Sequence, residues 1–130
     1  MRAHLLTVVL CLAVPATAGA QSIAHGKYLV ERTSLCNDCH TPRDAKGELI
    51  MSQGLQGAPI GSAPIHPMPW ADSVPPIAGL PPHFTSDQMV TFLETGKRPD
   101  GSMPRPPMPP YRFSHEDAQS VMLYIRSLKK

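Results

Sequence analysis

Two cysteines and a histidine stand close together in the segment "LCNDCH", at Cys36, Cys39 and His40. The pattern C-x-x-C-H is the attachment signature for c-type haem. Two thiols at this spacing can each add to one vinyl group of a porphyrin, and the neighbouring imidazole can then bind the iron from one face. The segment therefore predicts one haem c, covalently attached through Cys36 and Cys39, with His40 as an axial ligand of the iron.

Three other kinds of site use two cysteines at this spacing: a disulfide between Cys36 and Cys39, a thioredoxin-like redox pair, and half of a zinc site. The sequence around the motif has no βαβ pattern, which disfavours the redox pair. It also has no second pair of ligands at zinc-finger spacing, which disfavours zinc. Haem attachment is therefore the main interpretation, and the disulfide and the redox pair are its alternatives.

The first 20 residues have the pattern of a secretory signal peptide. Arg2 provides a positive charge, an apolar stretch runs from Leu5 to Val14, and small residues precede a preferred cleavage point between Ala20 and Gln21. The apolar stretch is far shorter than the ~20 residues needed to cross a bilayer. We therefore expect residues 1–20 to be removed, together with Cys11, and residues 21–130 to form one domain in the periplasm, with no transmembrane segment.

Composition points to a small domain with a limited core. The chain has 12 Lys and Arg against 10 Asp and Glu, so the formal net charge is only +2, and this balance gives no sign of nucleic-acid binding. Only three Phe, three Tyr and one Trp are available as large core residues. A core of this size would be incomplete without a bound guest.

Three helices are predicted. The first runs from Ser22, as N-cap, to about Leu35, and Gly26 within it suggests close approach by another element. The second lies in "TSDQMVTFLETG", which contains a capping-box pattern and ends at a glycine. The third begins after Ser114 and places four side chains on one face, namely Val121, Tyr124, Ile125 and Leu128.

Prolines dominate the middle of the chain, where 14 of the 16 lie between Pro59 and Pro110. Proline lacks a backbone N–H and interrupts helices and central strands, so this region is expected to be mostly loop. No strand pair is predicted. The expected fold class is therefore all-α, with three or more short helices and a long proline-rich loop.

The chain as a whole resembles the monohaem class I c-type cytochromes of the bacterial periplasm. The resemblance rests on three segments, "GKYLVERTSLCNDCHTPRD", "TGKRPDGSMPRPPMPPYRFSHEDA" and "VMLYIRSL". It implies the cytochrome c fold, in which the first and last helices cross closely where one supplies a glycine and the other an aromatic residue. Gly26 and Tyr124 match that pair. It also implies that the sixth iron ligand is a methionine in the loop before the last helix.

Met108 is the candidate for this second axial ligand. It stands in "PPMPPY", where prolines fix the backbone and leave few N–H groups to satisfy beside a haem. A thioether is a weak ligand, and a restrained loop lowers the entropy lost when it binds. Met103 is the first alternative, followed by Met68, a histidine or an open site. Met89 and Met122 stand at helical positions and are expected in the core.

Further residues are expected around the haem. Trp70 is expected either to donate to a haem propionate or to fill the core, and Tyr111 either to cover the Met108 loop or to fill the core. Four arginines are candidates to neutralise the propionates, namely Arg43, Arg98, Arg105 and Arg112. The other histidines after the signal are expected to be solvated or to cap helices; they are His25, His66, His83 and His115.

These predictions together indicate an electron-transfer protein and not an enzyme. If His40 and Met108 fill both axial positions, one-electron exchange between Fe(II) and Fe(III) is the chemistry that remains. The expected donor is a dehydrogenase or respiratory complex, and the expected acceptor is an oxidase or another cytochrome. Two alternatives remain: a cytochrome subunit bound stably to one periplasmic dehydrogenase, and a five-coordinate haem sensor or peroxidase-like enzyme.

Overall fold

The computed structural model describes residues 21–128, and the statements below refer to these residues. The predicted signal peptide, residues 1–20, lies outside this range. No helix between residues 21 and 128 is both long and apolar enough to cross a membrane.

The described chain is mostly helical. The α-helices are α1 (Ile23–Tyr28), α2 (Cys36–His40), α3 (Ser86–Thr95) and α4 (His115–Ser127). A π-helical turn (Leu29–Thr33) continues α1, and a 3-10 turn (Met51–Gln53) follows α2. Two strands of two residues each, β1 (Ala58–Pro59) and β2 (Ser73–Val74), pair in the antiparallel sense.

The helices begin and end where local side chains satisfy their backbone groups. The Ser22 hydroxyl accepts a hydrogen bond at the start of α1, and the Ser114 hydroxyl does the same for α4. Thr85 and Gln88 form a complete capping box before α3, which ends at Gly96 in the left-handed region, with φ of 73°. The predicted helix starts at Ser22, Thr85 and Ser114 are therefore confirmed.

Helices α1 and α4 cross at very short range. A Cβ placed on Gly26 would lie 1.9 Å from the Ser120 carbonyl oxygen and 2.8 Å from Tyr124 Cβ, so only glycine fits at this crossing. The Tyr124 hydroxyl donates to the Glu31 carboxylate at 2.5 Å and ties the π-helical turn to α4. The close crossing expected at Gly26 and Tyr124 is present.

The core lies between these two helices and α3. Met89 and Met122 are both buried there, as their helical positions predict. The ring of Phe84, just before α3, meets the ring of Phe92, in the second half of α3, edge to face, with centroids 5.4 Å apart. One side of this core opens onto α2 and the proline-rich loop, which together enclose the cavities described below.

Two features differ from the sequence prediction. The first is the strand pair, in which Ala58 pairs with Val74 and Pro59 with Ser73, so the prediction of no strand pair is wrong. Pro59 is tolerated because the pair has only two strands and its missing N–H interrupts no central strand. The second is α2, which was not predicted as a helix. The π-helical turn ends at Ser34, and Leu35, in the left-handed region with φ of 54°, starts this separate helical turn.

Candidate functional site

The C-x-x-C-H motif forms the whole of α2. Residues three and four apart on a helix share one side, so Cys36, Cys39 and His40 can face the same space. All three border one cavity of about 320 Å³. The other side of α2 faces the protein, where Asn37 is buried. This single helical turn therefore brings the three predicted attachment and ligand residues to one wall.

The His40 imidazole is held in a defined tautomer. The side chain is only 5% exposed, and its Nδ1 lies 2.8 Å from the carbonyl oxygen of Pro75. A carbonyl can only accept, so Nδ1 carries the proton and Nε2 keeps its lone pair. Burial lowers the pKa of His40 below its ordinary value, and the bond to Pro75 opposes that shift. A neutral imidazole with a free Nε2 is the form that binds a metal.

The backbone around His40 is fixed by Gly57, which precedes β1 and packs against the segment that follows β2. The Gly57 N–H donates to the His40 carbonyl at 2.8 Å, and Gly57 has φ of 84°. A Cβ at Gly57 would lie 2.8 Å from both the Pro76 nitrogen and the Val74 carbonyl oxygen. Glycine is therefore required for the β2 segment to approach closely enough for Pro75 to contact His40.

Thr41 anchors the end of α2. Its hydroxyl donates to Asn37 Oδ1 at 3.0 Å and accepts from the Leu55 N–H at 3.0 Å, and all three groups are buried.

Sequence reasoning identified neither Thr41 nor Pro75. Thr41 stands directly after the motif, so its position was a signal that could have been used. Pro75 contributes a backbone carbonyl, for which the sequence carries no side-chain signal.

The two thiols have different surroundings. Both are free in the structure, with Cys36 half-buried and Cys39 exposed. Burial raises the pKa of Cys36 to about 11, and the neighbouring Tyr111 hydroxyl acts in the opposite direction. A reactive redox cysteine has a lowered pKa because the thiolate is the nucleophile. The environment of Cys36 therefore disfavours the thioredoxin-like alternative.

Three adjoining cavities, of about 320, 290 and 420 Å³, surround His40 and Met108, and both residues border all three. Each of the three is close to the lower end of the range of about 300 to 1,000 Å³ typical of cofactor sites. The largest apolar side chains around the first cavity come from α3, α4 and the loops, and include Ile77, Phe92, Leu93 and Ile125. Two thiols, an imidazole and a thioether on apolar walls fit the donor set and surroundings of a c-type haem.

The three candidate methionines differ in whether they border these cavities. Met108 is half-buried, and its N–H lies 3.3 Å from the Arg105 carbonyl oxygen in a tight turn. Met103 is 42% exposed, its methyl group lies beside Gly96, and it borders none of the three cavities. Met68 is also exposed and borders none of them. The structure thus brings Met108 to the cavities that His40 borders, and its role as a ligand remains a prediction.

Two of the four candidate arginines lie beside this site. Arg98 borders the cavities of about 290 and 420 Å³, and Arg105 borders the former. Arg43 instead donates to the carbonyl of Gly47 at 2.8 Å, and Arg112 donates to a carbonyl at the end of α3. Of the four, Arg98 and Arg105 are therefore the ones placed to meet a carboxylate in these cavities, although Arg98 also donates to the Met103 carbonyl at 2.6 Å.

Trp70 and the histidines complete the comparison with the sequence. The Trp70 indole N–H donates to the Ser62 carbonyl at 2.9 Å, so it is used within the proline-rich loop and not at the cavities. Asp117 and Glu94 bind two of the histidines, His25 at 2.7 Å and His115 at 2.6 Å. His83 is exposed, as expected, but also borders the 420 Å³ cavity, which was not predicted.

Within residues 21–128, no three or more His, Cys, Asp and Glu side chains gather in a group that could hold a metal ion. The chain matches no protein-family model and no curated protein sequence. Function is therefore inferred from the motif and from the geometry around it.

Proposed function

We propose that this chain is a periplasmic one-electron carrier with the cytochrome c fold. One haem c would be attached through Cys36 and Cys39, with His40 and Met108 as axial ligands. The observation that carries this proposal is the position of the C-x-x-C-H helix on the wall of an apolar cavity that Met108 also borders. The Pro75 contact supports it further, because it leaves Nε2 of His40 free to bind iron.

When bound, the haem supplies reversible one-electron exchange, and the protein sets the potential of that exchange. The apolar walls exclude water and disfavour the additional positive charge of the oxidised state. As a ligand, the Met108 thioether would act in the same direction, because a thioether favours the reduced iron. Arg98 and Arg105 lie at the more polar edge of the site, where they would pair with the haem propionates. These contributions all favour a relatively high potential.

The experiment that tests this proposal starts from the chain produced with haem attachment and export. Covalent haem is measured in the denatured protein, and a redox titration then follows the spectrum of the folded protein. Met108→Ala should lose the ferric sulfur-to-iron charge-transfer band, bind carbon monoxide when reduced, and lower the potential by roughly 0.1 V or more. Met103→Ala is the matched control, in the same loop, and should resemble the wild type.

The outcomes separate the alternatives. Carbon monoxide binding to the reduced wild type would favour the five-coordinate sensor or peroxidase-like enzyme. Loss of the sulfur-to-iron charge-transfer band in Met103→Ala but not in Met108→Ala would identify Met103, and not Met108, as the axial ligand. His83 is a possible substitute ligand because it borders the same cavity, so Met108→Ala should also be measured together with His83→Ala. Absence of covalent haem in the exported wild type would refute the proposal.

The redox partners belong to the same proposal. A free carrier should elute as a single small protein and meet its dehydrogenase, respiratory complex, oxidase or cytochrome partner only transiently. A dedicated subunit should instead copurify with one dehydrogenase. Gentle extraction of the periplasm followed by size-exclusion chromatography, monitored by haem absorbance, distinguishes these two arrangements.

A further inference from the structure

The segment that carries Met108 has few backbone groups with which to hold its position. Four of its neighbours, Pro106, Pro107, Pro109 and Pro110, have no N–H to donate. On the N-terminal side, the Pro106 carbonyl accepts from the Ala71 N–H at 2.9 Å. On the C-terminal side, the first long-range hydrogen bond described in residues 21–128 comes from the side chain of Tyr111.

Tyr111 joins this segment to the start of the C-x-x-C-H helix. Its hydroxyl donates to the Ser34 carbonyl at 2.6 Å, across a separation of 77 residues. Ser34 ends the π-helical turn, and Leu35 then reverses the chain in the left-handed region. The helix therefore cannot continue to satisfy the Ser34 carbonyl, which takes its donor from outside the helix. Tyr111 provides that donor two residues before Cys36.

The ring of Tyr111 is held independently of its hydroxyl. It stacks on Phe113, with centroids 5.2 Å apart and planes 16° from parallel, and it borders the 320 Å³ cavity. Removal of the hydroxyl alone should therefore leave the ring in place. This separation allows the hydrogen bond to be tested without opening a cavity.

We propose that Tyr111 is a positioning residue that fastens the Met108 segment to the entrance of α2 and thereby sets how firmly Met108 remains on the iron. This inference rests on the proposed function. A thioether is a weak ligand, so the equilibrium between bound and released Met108 depends on how well the protein holds the segment. The hydrogen bond from Tyr111 to Ser34 is present only while the segment is docked, so it favours the bound state.

Competition with imidazole measures this effect in the haem-loaded protein. Imidazole binds the oxidised iron only when Met108 is released, so its apparent affinity reports the released fraction. Loss of one net hydrogen bond in Tyr111→Phe should tighten imidazole binding about fivefold. The sulfur-to-iron charge-transfer band should disappear at a correspondingly lower imidazole concentration.

Two other tyrosines provide matched controls. Tyr28→Phe makes the same chemical change at a residue that is 57% exposed and should leave the imidazole affinity unchanged. Tyr124→Phe removes the hydroxyl that donates to Glu31 at the α1 and α4 crossing. It should lower the urea midpoint of the helices without changing the imidazole affinity, because it does not contact the Met108 segment.

The possible results distinguish this inference from the function on which it rests. Wild-type protein without covalent haem would refute the proposed function. Attached haem with equal imidazole affinity in Tyr111→Phe and the wild type would refute only the role of Tyr111. An equal increase of affinity in Tyr124→Phe would also refute it, since general loosening would then explain the effect. Failure of haem attachment in Tyr111→Phe alone would place Tyr111 in attachment instead.

Discussion

Preventing haem attachment should remove most of the stability of this fold. The change is Cys36→Ser combined with Cys39→Ser, which deletes both attachment points and leaves the rest of the core intact. The cavity that these residues border has a volume of about 320 Å³ and lies against side chains of α3 and α4. At about 24 cal/mol per Å³, a cavity of this size costs about 8 kcal/mol.

That cost is comparable with the whole stability of a small domain, which is about 5 to 15 kcal/mol. It is an upper figure, because the cavity also has the exposed Cys39 at its wall and water can enter part of it. The proposed haem would fill this space and contact its apolar walls. We therefore expect a cooperative urea transition in the loaded protein and a weak or absent one in the double variant.

The assay is urea unfolding followed by far-ultraviolet circular dichroism. A second sample with the wild-type sequence, produced without haem attachment, separates the effect of the haem from that of the serines. Both unloaded samples should lose helix at a much lower urea concentration than the loaded protein. If they unfold cooperatively at the same concentration as the loaded protein, the core closes without a guest and the cavity estimate is wrong.

Two further predictions concern the frame around the site, and each is measured by urea unfolding of the haem-loaded protein. Gly26→Ala should lower the free energy of unfolding by about 3 kcal/mol, because its Cβ would lie 1.9 Å from a carbonyl oxygen of α4. Gly61→Ala is the control, because a Cβ at Gly61 would have open space around it. Equal stability of the two variants would contradict the close crossing. Thr41→Val should cost about 2 kcal/mol, since the buried Leu55 N–H would lose its acceptor, and an unchanged urea midpoint would show that this contact does not stabilise α2.

The helix ends could be predicted because their chemistry is local. A capping box needs only Thr85 and Gln88, three positions apart, and the stop at Gly96 needs only a residue that tolerates positive φ. Gly26 was also informative, since a glycine inside a helical pattern is costly unless another backbone lies close to it. In each case the structural feature requires a particular residue type, so the residue type predicts the feature.

The contacts that orient His40 could not be predicted in the same way. Pro75 acts through a backbone carbonyl 35 residues away, and nearly every residue offers the same group. The approach of Pro75 depends on the turn at Gly57, just before the proline-rich region, and on the strand pair, most of which lies in that region, where the prolines predicted only loop. A sequence pattern cannot identify one carbonyl among many when tertiary packing makes the choice.

The same limit applies to residues of one type that compete for one role. Arg43 and Arg98 have the same side-chain chemistry, and each donates to a backbone carbonyl, Arg43 to Gly47 and Arg98 to Met103, yet only Arg98 also borders the cavities. From the sequence alone, the Trp70 indole N–H was a candidate donor to a haem propionate, but in the structure it donates to the Ser62 carbonyl of its own loop. Local backbone groups compete with any ligand for such side chains, and the outcome depends on loop conformation.

The two proposed axial ligands are held by different means, and this difference has a chemical consequence. His40 is buried within one helical turn, with its ring fixed by Pro75 and its backbone carbonyl bound by Gly57. Met108 lies on a proline-rich segment whose nearest long-range hydrogen bonds begin at Pro106 and Tyr111. Met108 also offers the weaker donor atom. An external ligand that displaces one of the two should therefore displace Met108. Any ligand sensing by this protein would then depend on how strongly the Met108 segment is anchored.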